Sequence, residues 1–169
     1  MEGRLAEDRV VIDDPAGKEL HESGWYGNLE GETLVLELLE AVLLAERGRI
    51  EVGSAGKKMS FAELYRYAAA HDPRFVARYA VYYDLRERGL PVRSGFKGSD
   101  FRVYDRGAKT GEAEKVKWIV FAANEDEPAA LEQLGKAIKL AANIRALALW
   151  AVVDNDLDVT YYIINELVP

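Results

Sequence analysis

Asp154, Asp156 and Asp158 place three carboxylates within five residues, with no lysine or arginine close enough in sequence to offset their repulsion. Such a cluster has three uses: it coordinates a hard cation, it meets a cationic surface on another molecule, or it forms a plain polar turn. The Asp-x-Asp-x-Asp spacing is that of a calcium loop, but the glycine and the distal glutamate that such a loop needs are missing. From the residues alone the turn reading is the simplest. A second set is cationic: Arg93, Lys97, Arg102, Arg106, Lys109, Lys115 and Lys117 fall in one segment. It reads either as contacts to a phosphate backbone or as the solvated face of a sheet. Glu125-Asp126-Glu127 reads as a helix start, where negative charge opposes the macrodipole. With no cysteine and only His21 and His71, thiolate nucleophiles, disulfides and histidine-rich metal cages drop out.

The elements that must position these groups follow from periodicity. In 169 residues, 49% apolar and 30% charged, there is room for one large or two small domains with a real core. Apolar stretches are interrupted well before the ~20 residues that span a bilayer, and Met1-Glu2-Gly3-Arg4 lacks the apolar core of a signal peptide, so a soluble, cytoplasmic protein is expected. A β-branched strand over Arg9–Asp13 leads through Asp14-Pro15-Ala16-Gly17 to a short helix over Lys18–Ser23. Leu34, Leu38, Leu39, Val42 and Leu43 predict a helix over Thr33–Arg47, and Arg49–Val52 a short strand. Ser60 with Glu63 is a capping box for a helix that His71-Asp72-Pro73 breaks; a third helix runs to Arg88. Beyond Gly89 the pattern turns to strands over 91–94, 100–104 and 117–122. A helix over 127–144, an apolar strand over 148–153 and a last strand over 159–164 follow. The expectation is α+β or α/β: an N-terminal α/β domain over 1–88, then a C-terminal α/β domain with a mixed sheet over 89–169.

Several of these stretches carry a closer likeness. Gly24-Trp25-Tyr26-Gly27, Tyr83-Asp84-Leu85-Arg86-Glu87-Arg88-Gly89, Gly98-Ser99-Asp100-Phe101-Arg102-Val103-Tyr104 and Ala151-Val152-Val153-Asp154 occur in one order over almost the whole chain. In this the sequence resembles the archaeal tRNA-splicing endonucleases, and specifically their non-catalytic structural subunit. The resemblance implies a nuclease-like second domain and a four-subunit assembly, here two copies joined to two copies of a catalytic subunit, which meets precursor tRNA as a complex. It implies no membrane association and no metal or other cofactor. It also implies the reaction: the 2′-hydroxyl attacks the neighbouring phosphate and leaves a 2′,3′-cyclic phosphate, with Tyr, His and Lys as the catalytic set.

Carried over residue by residue, that set is broken. Tyr104 falls where the tyrosine belongs and reads as vestigial, a strand-end aromatic kept for packing. The histidine is due near Glu114 and Lys115, and none is there. The lysine is due at Ala146, beside Leu147, but Lys139 is the last lysine of the chain. The resemblance makes the Asp154–Asp158 loop a plug for a cationic groove on a neighbouring subunit. Tyr161, Tyr162, Ile163 and Ile164, apolar on both sides of one strand, read as a second subunit contact. Arg93, Lys97, Arg102 and Arg106 read as candidate RNA contacts. The net charge of −7 favours a basic partner over unaided RNA binding. Two rivals stand beside this reading: an active endonuclease using Tyr104 with Lys115 or Arg145, and an RNA-binding module on the same fold.

Overall fold

Alternation drives the first unit. In the computed structural model, which describes residues 1–110 and 115–168, the packing divides the chain into Met1–Val76 and Ala77–Pro169. The first unit runs β1 (Glu2–Ala6), β2 (Arg9–Ile12), α1 (Gly17–Glu22), β3 (Asn28–Glu30), β4 (Thr33–Glu37), α2 (Leu38–Glu46), β5 (Glu51–Ser54), β6 (Lys57–Lys58) and α3 (Phe61–His71). Its strands lie in the order β3-β4-β2-β1-β5-β6, with β1 parallel to β5 and the other neighbours antiparallel. Val10 and Ile12 of β2 and Leu34 and Leu36 of β4 are completely buried, as are Val42, Leu43 and Leu44 of α2.

The helix expected over Thr33–Arg47 is therefore two elements. Leu34 and Leu38 fit a helical stripe, but Leu34 and Leu36 also fit a strand. Pairing with β2, Ile12 to Leu34 and Val10 to Leu36, decides for the strand. Thr33 caps nothing and instead donates its hydroxyl to Asp13 at 2.9 Å. The cap comes from Glu40: its buried carboxylate accepts from the Glu37 N–H at 2.9 Å and from the Gly27 N–H at 2.8 Å. Gly27 has φ +59°, and a Cβ there would lie 2.5 Å from the Val35 carbonyl, so the Gly24–Gly27 loop needs glycine at this position. The Ser60–Glu63 capping box forms as expected, with mutual bonds of 2.7 and 3.3 Å.

The second unit contains all but the start of α4 (Phe75–Glu87), then β7 (Val92–Ser94), β8 (Phe101–Val103), β9 (Trp118–Asn124), α5 (Leu131–Asn143), β10 (Leu147–Val153) and β11 (Val159–Ile164). Its sheet has the order β11-β10-β9-β8-β7 and is mixed: β9 and β10 are parallel across the α5 crossover, the rest antiparallel. The division falls at Val76 rather than at Arg88 because α4 packs onto this sheet. Tyr82 lies 5.7 Å from the Phe101 ring, and Arg78 pairs with Asp100 at 3.1 Å. α5 starts at Leu131, not Glu127. Pro128 disfavours a helical Glu127, whose carboxylate closes a turn onto the Asn124 N–H at 3.0 Å.

Asp100 fastens this unit. It is 7% exposed, and its second carboxylate oxygen accepts from the Ala122 N–H at 2.8 Å. Removing it takes away the carboxylate that the Arg78 guanidinium and a buried amide share, so Asp100→Ala will cost about 3 kcal/mol. At this chain length that lowers Tm by roughly 6–12 °C. Adding Arg78→Leu should recover part of the loss; a Tm within about 2 °C of wild type for Asp100→Ala alone would refute the clamp.

Candidate functional site

Tyr104 follows β8 directly, its N–H donating to the Pro91 carbonyl at 3.0 Å. Its side chain is 1% exposed. A general base must touch the hydroxyl it deprotonates, and this ring is packed inside the unit. Glu114, one of the two positions where a histidine was expected, lies outside the described residues; Lys115 is exposed. Lys117 pairs with Asp105 and lies 4.7 Å over the Trp118 ring. Where the resemblance expects a lysine, Ala146 is half-buried, Leu147 is exposed, and Arg145 turns the chain out of α5 with φ +57°. Both histidines belong to the first unit and serve the local backbone. His21 Nδ1 sits 3.0 Å from the Gly27 carbonyl, and His71 Nδ1 2.9 Å from the Tyr67 carbonyl.

The acidic loop divides by role. Asp154 builds it: one carboxylate oxygen accepts from the N–H groups of Asp156 at 2.8 Å and Asp158 at 3.0 Å, and Leu157 takes φ +66°. The Asn155 N–H is braced by Glu125 at 3.1 Å. Asp156 and Asp158 are exposed around Leu157, and among the described residues none of the three aspartates pairs with a lysine or arginine. Among the described residues no group of three or more His, Asp or Glu side chains converges to hold a metal ion.

β11 is an edge strand, paired only with β10 among the described residues. Tyr162 and Ile163 are 55% and 61% exposed, and Ile164 is half-buried. Tyr161 is engaged within the unit: its hydroxyl donates to Asp84 at 2.8 Å, and Asp84 also accepts from Arg88 at 2.8 and 3.2 Å. These residues give the Tyr-Asp-Leu-Arg-x-Arg-Gly stretch a role that its spacing alone did not show, a staple from the end of α4 to the edge strand. Burial first, then the Asp84 carboxylate, push the Tyr161 hydroxyl well above its ordinary value. Because the folded value is raised, the contribution is intact below about pH 10 and is lost progressively as pH rises above that. Alkaline unfolding should therefore set in above about pH 10 and move to higher pH in Tyr161→Phe, followed by circular dichroism. An unchanged alkaline midpoint would count against the staple.

The cationic residues gather around β7 and β8. Arg93 and Arg102 face each other across the two strands. Arg102 donates to the Ser94 carbonyl at 2.7 Å and lies 4.8 Å over the Phe96 ring. Lys97 and Arg106 are exposed, and no carboxylate among the described residues pairs with them. Arg106 also borders a groove of about 730 Å³ whose walls include Arg88, Lys117, Leu149 and Ile163. The helices show no span long and apolar enough to cross a membrane among the described residues.

Two family profiles match this architecture in order: "tRNA intron endonuclease, N-terminal domain" over residues 1–65 and "tRNA intron endonuclease, catalytic C-terminal domain" over residues 75–161. The tRNA-splicing endonuclease of Thermococcus kodakarensis is 39% identical over 160 residues, covering 94% of this chain and 93% of that protein. Those of Methanococcoides burtonii and Methanosarcina acetivorans are 38% and 36% identical over 96% and 100% of this chain, which spans only 45% and 47% of their lengths. On both profiles and on near-complete alignment with these relatives, the chain belongs to the tRNA intron endonuclease family.

Proposed function

We propose that this chain is the structural subunit of a tRNA-splicing endonuclease, in which two copies position and activate two catalytic subunits for excision of introns from precursor tRNA. The observation that carries the reading is the loss of the proton donor and the cation. No histidine occurs after His71, and no lysine after Lys139, while the Tyr104 ring is packed in the core. In-line attack of the 2′-hydroxyl needs an acid for the leaving 5′-oxygen and a positive charge for the phosphorane, and neither is supplied here.

The remaining features suit an assembling role. Asp156 and Asp158, unpaired with any described cation, are available to a basic groove on a neighbour, with Asp154 holding their loop in shape. The exposed edge of β11 is available to another strand, and Arg93, Lys97, Arg102 and Arg106 supply cations toward the RNA backbone. The near-full-length match to the Thermococcus protein favours a second reading, an endonuclease active by itself through Tyr104 with Lys115 or Arg145. Co-expression with a catalytic subunit separates them. A mass of two plus two, lost when Asp156 and Asp158 are both changed to Lys, supports the structural role; a chain that remains alone and cleaves a bulge-helix-bulge RNA supports the second.

A further inference from the structure

We infer that Phe96 and Arg102 form a stacking site for one unpaired nucleobase of an RNA strand, with Lys97 facing the adjoining phosphate; the inference rests on the chain working on RNA within its assembly. Phe96 is 36% exposed in the β7–β8 connection, yet hydrogen bonds tie its loop together. The Ser99 N–H and hydroxyl bond the Phe96 carbonyl at 2.9 and 3.0 Å, and the Gly95 N–H bonds the Asp100 carbonyl at 2.9 Å. A Cβ at Gly95 would lie 2.4 Å from Ser99 Oγ, so only glycine fits, and Gly98 takes φ +93°. Asp100, at the base of the loop, is the residue clamped by Arg78 and the Ala122 N–H. An exposed ring held this firmly is preorganised for contact rather than left over from folding.

Charge and shape select the ligand. Between residues 93 and 109 five cations face two carboxylates, and both carboxylates are already engaged, Asp100 by Arg78 and Asp105 by Lys117. The segment therefore attracts an anion. The Arg102 guanidinium lies over the ring, 4.8 Å from its centroid and pinned to Ser94, so a positive charge is held against the aromatic surface. Ring and guanidinium together suit a planar base followed by a phosphate. Paired bases are already stacked and present no free face, so the ligand is an unpaired nucleotide. β7 and β11 are opposite edges of a five-stranded sheet, roughly 19 Å apart at normal strand spacing, so RNA contact here leaves β11 open to a partner.

The test uses the full chain, fluorescence anisotropy, a ten-nucleotide single-stranded RNA and a blunt RNA duplex, each over a salt series. Phe96→Ala should weaken single-strand binding about tenfold while leaving duplex binding and the salt slope unchanged. Phe96→Trp should restore the affinity and add fluorescence that RNA quenches beyond the wild-type change. Lys97→Gln should reduce the single-strand salt slope by about 0.7. Unchanged single-strand affinity in Phe96→Ala overturns the site, as do equal losses on both RNAs or no binding of the single strand by wild type at low ionic strength. Intact RNA affinity with loss of a catalytic subunit would make Phe96 a protein contact instead. Cleavage by the isolated chain would overturn the structural-subunit reading and leave these binding results standing.

Discussion

Purified alone and given a bulge-helix-bulge precursor, the chain will cleave at least about 10⁴-fold more slowly than an assembly containing a catalytic subunit. A positioned general acid contributes about 10²–10⁴-fold, and an electrostatic donor at the developing charge about 10²–10³-fold. On the proposed reading, neither position holds a side chain that substitutes. Ala146 carries no charge. Arg145 is exposed in the left-handed turn after α5. Lys117, the nearest lysine to β9, is held by Asp105 over Trp118. Within the assembly, Tyr104→Phe in this chain should leave the cleavage rate unchanged, because a ring that is 1% exposed does not meet substrate. Gel-resolved single-turnover kinetics decide the matter. Steady cleavage by the isolated chain, abolished by Tyr104→Phe, would overturn the proposal.

What could be read from residue types differs from what only packing shows. The second unit was legible because its strands are short apolar runs between turn residues, and β8 to β11 fall close to their expected spans. β1 was not: Glu2-Gly3-Arg4-Leu5-Ala6 has no β-branched residue, and it becomes a strand through pairing with β2 on one side and β5 on the other. The 33–47 region was misread because one leucine series satisfies two periods, and strand pairing chose between them. At the candidate site, the absence of any histidine after His71 and of any lysine after Lys139 is a matter of identity and so is visible in the sequence. The burial of Tyr104, the shaping role of Asp154 and the Asp84–Arg88–Tyr161 staple are matters of who meets whom, across a long stretch of chain or within a single turn, and no spacing rule encodes them. The Asp100 clamp lay inside a stretch already singled out for its motif, and its burial supplies the physical reason for an aspartate there.

Ile163→Lys will dissolve the assembly while sparing the fold of the chain. The two edges of the second sheet are guarded differently. β7 is three residues long and carries Arg93, both devices that discourage a further strand. β11 is six residues long, reads Val-Thr-Tyr-Tyr-Ile-Ile, and has no charge. Its Tyr162 and Ile163 are more than half exposed, on opposite faces of the strand. An apolar edge of this length in water invites pairing, and on the proposed reading a neighbouring subunit covers it in the complex. A lysine at position 163 costs the separate chain about 0.5 kcal/mol or less, since the site is exposed. If that edge is covered in the complex, the same ammonium must be buried without a partner, at about 3–5 kcal/mol, or roughly 10²–10⁴-fold in dissociation constant. Sedimentation at micromolar concentration should then show the separate subunits, with Tm of the chain nearly unchanged. Tyr161→Phe, which cuts the Asp84 bond but keeps the edge apolar, should weaken association far less. An assembly mass that survives Ile163→Lys would mean that β11 faces solvent in the complex as well, and that the acidic loop alone holds the subunits together.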